Sequence, residues 1–92
     1  MTPERAETIA LQALGWLAGD DDLCSTFLGA TGASLDEMRQ RATEPAFLAS
    51  VLGFLTINDD WIIGFCDMVG LSYDQPLRAL HALPGAEQVE WT

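Results

Sequence analysis

Residues 46–71 concentrate the large apolar side chains, and their spacing constrains the fold more than any other feature of the chain. Phe47, Leu48, Val51, Leu52, Phe54 and Leu55 recur at i, i+3, i+4 and i+7, which makes one wide apolar stripe on a helix. Trp61, Ile62, Phe65, Cys66, Met68 and Val69 form a second pattern that leaves only a narrow line through Asp60, Gly64 and Asp67 for water. A helix that apolar requires cover on several sides. The two patterns are therefore expected to form a central helical hairpin, with Asn58, Asp59 and Asp60 ending one helix and capping the next.

The flanking segments carry start and stop signals for further short helices. Thr2 before Pro3 and Glu4 predicts a helix running to about Ala18, because a hydroxyl caps free amides and Pro suits a first turn. Ile9, Ala10, Ala13, Leu14 and Leu17 are its expected buried stripe, with Ala6 extending it, Leu11 and Trp16 at its margins and Gly19 as a left-handed stop. Asp20, Asp21 and Asp22 place acids at the amide end of a second helix through Leu23, Phe27 and Leu28, stopped at Gly29 or Gly32. Ser34 and Glu37 have capping-box spacing before a helix through Leu35, Met38 and Ala42, and Pro45 restarts the chain. Gly70 closes the Trp61 helix, with Leu71 folding back against it. Asp74 then caps a last helix over 75–83 with Pro76 in its first turn and Leu77, Leu80 and Ala79 inward. The expected fold is all-α: a compact bundle of five to six short helices in a single domain over 1–85, followed by an extended tail over 86–92.

Composition narrows the function classes. At 92 residues the chain is long enough to bury a core without staples. Four Arg, no Lys and 14 acidic residues give a net charge of -10, which repels phosphate and argues against nucleic-acid and anionic-membrane partners, although Arg39 and Arg41 form a local basic spot. The longest apolar segment is interrupted by Asn58-Asp59-Asp60, short of the roughly 20 residues a membrane span requires. Cys24 and Cys66 lie far apart, and the opening Met1-Thr2-Pro3-Glu4 shows no basic-then-apolar stretch, so a reduced, cytoplasmic setting is expected.

Motifs that suggest chemistry do not withstand inspection. A calcium loop starting at Asp20 would need Gly where Ser25 stands and Glu where Thr31 stands. Gly29-Ala30-Thr31-Gly32 mimics a dinucleotide turn, but no strand precedes it and Leu35 occupies the position of the further Gly. A phosphate loop requires a Lys, and the chain has none. Residues 66–72 resemble the turn of a helix-turn-helix, yet the next helix presents Asp74, Gln75 and Pro76 with Arg78 as its one cation. Cys66, Asp67 and His81 are the residues available for a nucleophile, orienter and base, but Phe65 and Val69 suggest an inert core thiol. Four zinc ligands at workable spacing are absent, and neither metal nor cofactor is expected.

Glu4 to Ala18, Phe27 to Ser34, Trp61 to Leu71 and Pro84 to Trp91 together resemble a short alphaproteobacterial family of unknown function, over nearly the whole length. The resemblance implies a stand-alone, cytoplasmic, all-helical domain and brings no activity, ligand or catalytic residue with it.

Trp16, Trp61, Tyr73 and Trp91 are the candidate interaction residues. Aromatic side chains at helix ends, rimmed by acids, resemble a protein-binding patch if exposed, and fill core or core edge if not. The expected function is a non-enzymatic, acidic protein-interaction module with an unidentified protein partner, itself a monomer or weak homodimer. The competing class is a small-molecule-binding protein or enzyme with a pocket between helices, using Cys66 or His81. Mimicry of nucleic acid would require Asp20 to Asp22, Asp59 and Asp60 on one face.

Overall fold

The computed structural model describes residues 1–83, and over that span the chain forms six helices and no strand. They are α1 (Pro3–Ala18), α2 (Asp21–Thr31), α3 (Leu35–Gln40), α4 (Pro45–Leu55), α5 (Asp59–Val69) and α6 (Gln75–Ala82). The all-helical class expected from the periodicity is observed. The end of the last helix at Pro84-Gly85, the tail and Trp91 lie outside the described residues.

Local chemistry sets most of the boundaries. Thr2 Oγ1 accepts from the Arg5 amide at 3.2 Å, the Asp20 carboxylate accepts from Leu23 at 3.0 Å, and Asn58 Oδ1 accepts from Asp60 and Trp61. Gly32 and Gly70 adopt the left-handed conformation at φ 73° and 76°, each returning its amide to the last turn. Leu71 also donates to the Cys66 carbonyl at 3.0 Å, and its side chain packs on the core.

Four local expectations are corrected. Gly19 stays helical at φ -79°, and the stop is made at Asp20, which turns extended to cap α2. The Ser34–Glu37 box is one-sided: Ser34 Oγ accepts the Glu37 amide, but the Glu37 carboxylate takes the Ser34 hydroxyl rather than its amide. Asp74 holds the N-cap position of α6 as expected but makes no side-chain cap, because its carboxylate accepts from Ser72 Oγ at 2.7 Å and faces Arg78 at 3.6 Å. That hydroxyl is the first cause holding the Asp74 carboxyl below its usual range. Leu77 does not point inward: it is 48% exposed, and α6 buries Pro76 and Ala79 instead, with Leu83 just beyond.

The core forms between α1 and α4 rather than around an α4–α5 hairpin. α1 touches α2, α4, α5 and α6. Its inward face is Ala6, Ile9, Ala10, Ala13 and Leu17, and the three alanines let neighbouring backbones approach closely. α4 is enclosed, with Phe47, Leu48, Ala49 and every residue from Val51 to Leu55 buried. Phe27 of α2 sits edge-on to Phe47 and Phe54, at 5.9 and 5.2 Å between ring centroids. The chain bends by 112° between α4 and α5, and α5 lies on the periphery, in contact mainly with α1 and buried along one side. Ile62, Phe65 and Cys66 face inward at i, i+3 and i+4, whereas Ile63 is 41% exposed and Met68 74% exposed. Among the described residues no single helix is long and apolar enough to cross a membrane.

Candidate functional site

Placing α5 on the periphery opens a groove between that helix and the start of α6. Thr56, Asp59, Ile62, Ile63, Tyr73 and Leu77 line it, around a volume of about 400 Å³. Tyr73 is held in place: its hydroxyl donates to Asp67 Oδ1 at 2.8 Å, from the segment after α5 back onto the end of that helix. The same hydrogen bond is the first cause raising the Tyr73 phenol above its ordinary range, followed by the Asp67 charge. Ile63 and Leu77 are exposed on either side. Ile57, also exposed, lies just before α5.

A second recess brings together two of the residues singled out in the sequence. Trp16 near the end of α1 and Trp61 in the first turn of α5 line it with Asp20, Asp22, Leu23, Thr26 and Asp60, around about 390 Å³. Both tryptophans are half-buried and rest on the core. Trp16 packs edge-on to Phe65 with centroids 6.1 Å apart, and Trp61 stacks on Phe54 at 4.7 Å. Gly64 makes room for the first indole, since a Cβ there would meet Trp16 Cζ2 at 3.2 Å. Tyr73 lines the other groove, so the three described candidates do not share one recess, and Trp91 lies outside the described residues.

A third groove, between α1, α2 and α3, is apolar and about 400 Å³ in volume, with Leu11, Leu14, Leu35 and Met38 on its walls. Cys24 lines it, and Arg39, without an ion pair among the described residues, stands at its edge.

The residues considered for catalysis are not assembled. Cys66 is buried, and its thiol donates to the Ser72 carbonyl at 3.5 Å. Burial first, then the Asp67 and Asp74 charges, push that thiol up and keep it protonated, the opposite of what a nucleophile requires. His81 is exposed on α6, beside Met1, Arg78 and Ala82. Both cysteines are unpaired. Among the described residues no three His, Cys, Asp or Glu side chains are placed to hold a metal ion.

Ile63 and Leu77 were not foreseen as site residues. Ile63 had a signal available, since it lies off the stripe through Ile62, Phe65 and Cys66; Leu77 had none, because either face of so short a helix fits its spacing.

The class defined by these observations is a small all-helical fold with open grooves between its helices. The chain belongs to the family described as a protein of unknown function (DUF3572), whose model matches residues 3–86. Comparison with curated proteins and with solved structures finds no match.

Proposed function

We propose that this protein is a non-enzymatic, acidic module that binds another protein in the cytoplasm, acting as a monomer or weak homodimer. The observation that carries the reading is the convergence of Ile63, Tyr73 and Leu77, exposed by 41%, 54% and 48%, on one groove with Asp59 at its rim. Fully burying an exposed Ile or Leu is worth about 1.5–3 kcal/mol, and Ile63 and Leu77 are about half exposed, so a partner that covers them gains roughly half of that from each, with the Tyr73 ring adding to it. The Asp67 hydrogen bond fixes the Tyr73 ring before binding and reduces the ordering required then. An amphipathic helix with apolar residues at i, i+3 and i+4 suits the groove.

The test uses native pull-down with mass spectrometry, comparing the wild type with Ile63→Ser/Leu77→Ser. Retention of a partner by the wild type and its loss from the variant, with an unchanged thermal midpoint, supports the reading. A wild type that retains nothing, or a variant that retains the same partner, rejects it.

A second reading, a carrier of a small apolar acid, is favoured by the α1–α2–α3 groove with Arg39 at its edge. Decanoate raising the thermal midpoint of the wild type but not of Arg39→Gln supports it; equal effects on both reject it.

A further inference from the structure

We propose that the recess between Trp16 and Trp61 takes a cationic side chain, an arginine or lysine, from a basic segment of the protein partner. The inference rests on the interaction-module reading but uses a different surface from the Ile63–Tyr73–Leu77 groove. Two indoles and three carboxylates line one concavity, and no cation lines it. The two ion pairs among the described residues, Arg41–Glu44 and Arg78–Asp74, lie elsewhere. Asp20 spends one oxygen on the Leu23 amide, while Asp22 and Asp60 have no side-chain partner among the described residues.

A structural role alone does not account for this charge. The acids occupy the first turns of α2 and α5, where each helix end contributes roughly half a positive charge. Asp20, Asp22 and Asp60 exceed that compensation, and Asp21 and Asp59 in the same turns add to the excess. The three carboxylates line the concavity, and no three are placed to hold a metal ion among the described residues. That distribution suits a broad organic cation. The indoles complete the match, because aromatic faces attract guanidinium and ammonium groups, most strongly when the ring is tryptophan. Phe65 and Phe54 brace the two rings from the core side, so the walls are set before the ligand arrives.

The experiment titrates the 15N-labelled chain with a short peptide alternating arginine and glycine, using its citrulline counterpart as the neutral control. The indole N–H signals of Trp16 and Trp61 are assigned with Trp16→Phe and Trp61→Phe. The expected result is a saturable shift of both indole signals with the arginine peptide, weakened at least about fivefold by Asp22→Asn/Asp60→Asn, which removes two carboxylates that would pair with the guanidinium. Glu4→Gln/Asp36→Asn removes the same charge at exposed positions on α1 and α3, and it should weaken binding less than about twofold. Equal weakening by the two double variants reduces the effect to the overall charge and overturns the proposal. Absence of indole shifts overturns it as well. Because the probe is a defined peptide, either failure leaves the pull-down with Ile63→Ser/Leu77→Ser standing or falling on its own result.

Discussion

Gly29 and Gly32 lie within one turn of each other and have opposite requirements. Gly29 is exposed inside α2 with open space where a Cβ would go, so Gly29→Ala should raise stability by about 0.5–1 kcal/mol through the unfolded chain's lost freedom. Gly32 sits at φ 73°, a conformation that an L side chain rarely adopts, and Gly32→Ala should lower stability by about 1–2 kcal/mol. Urea midpoints of the two variants measure both signs. The Gly29-or-Gly32 ambiguity in the sequence reflects this: both residues match a stop signal, and the choice depends on where Phe27 must pack. A second test at this scale exploits composition. With no Lys, one Tyr and two Cys, few groups titrate between pH 8 and 11. Cys66 and Tyr73 are both raised in the folded state, so the unfolded chain releases these protons first. Their contribution is whole below the ordinary thiol range and is lost as pH rises through the folded values. The urea midpoint should therefore fall from pH 7 to pH 10.5, and fall less in Cys66→Ala/Tyr73→Phe.

Helix starts could be read from sequence because a cap is a contact between residues two or three apart. Asn58 shows the principle: two amides converge on one side-chain oxygen, so Asn58→Ala should destabilise by about 1 kcal/mol, measured by denaturant titration. What a helix faces was harder to read. α5 is apolar around most of its circumference, yet it is not enclosed: Ile62, Phe65 and Cys66 are buried, Trp61 and Val69 rest half-buried on the core, and Ile63 and Met68 stay exposed. α6 departs from expectation in a related way. Leu77 outweighs Ala79 on any hydrophobicity scale, yet Ala79 is the one of the two that is fully buried, on a helix that packs against both α1 and α4, where a small side chain allows close approach. Enlarging that side chain tests the explanation: Ala79→Leu should destabilise by about 1–3 kcal/mol, whereas Leu77→Gln at its exposed position should change stability by less than about 0.5 kcal/mol.

At the scale of the whole molecule, fold class followed from periodicity, but arrangement did not. The alanines of α1 give a weak apolar signal, and their value lies in letting α4 and α6 come close, which emerges only when the helices are assembled. The grooves are likewise properties of assembly: the 112° bend after α4 creates the edge on which Tyr73 and Leu77 meet Ile63, and no local pattern encodes that angle. Charge, by contrast, reads directly from composition and has a global consequence. A net charge of -10 on so small a fold makes like-charge repulsion the largest long-range electrostatic effect. Salt also weakens favourable interactions, but these are few among the described residues. The two ion pairs are solvent-exposed, each worth little, and the helix-end acids contribute only about 0.3–1 kcal/mol apiece, partly as hydrogen bonds that persist in salt. Screening should therefore relieve more repulsion than it removes attraction, and the thermal midpoint should rise by several degrees between low salt and 0.5 M sodium chloride, since about 1 kcal/mol corresponds to about 4–8 °C at this size. A midpoint that falls would mean that the first-turn acids of α2 and α5 interact with their helix ends more strongly than with one another. Asp22→Asn/Asp60→Asn would then lower the midpoint at low salt, whereas the repulsion account has that double variant raise it.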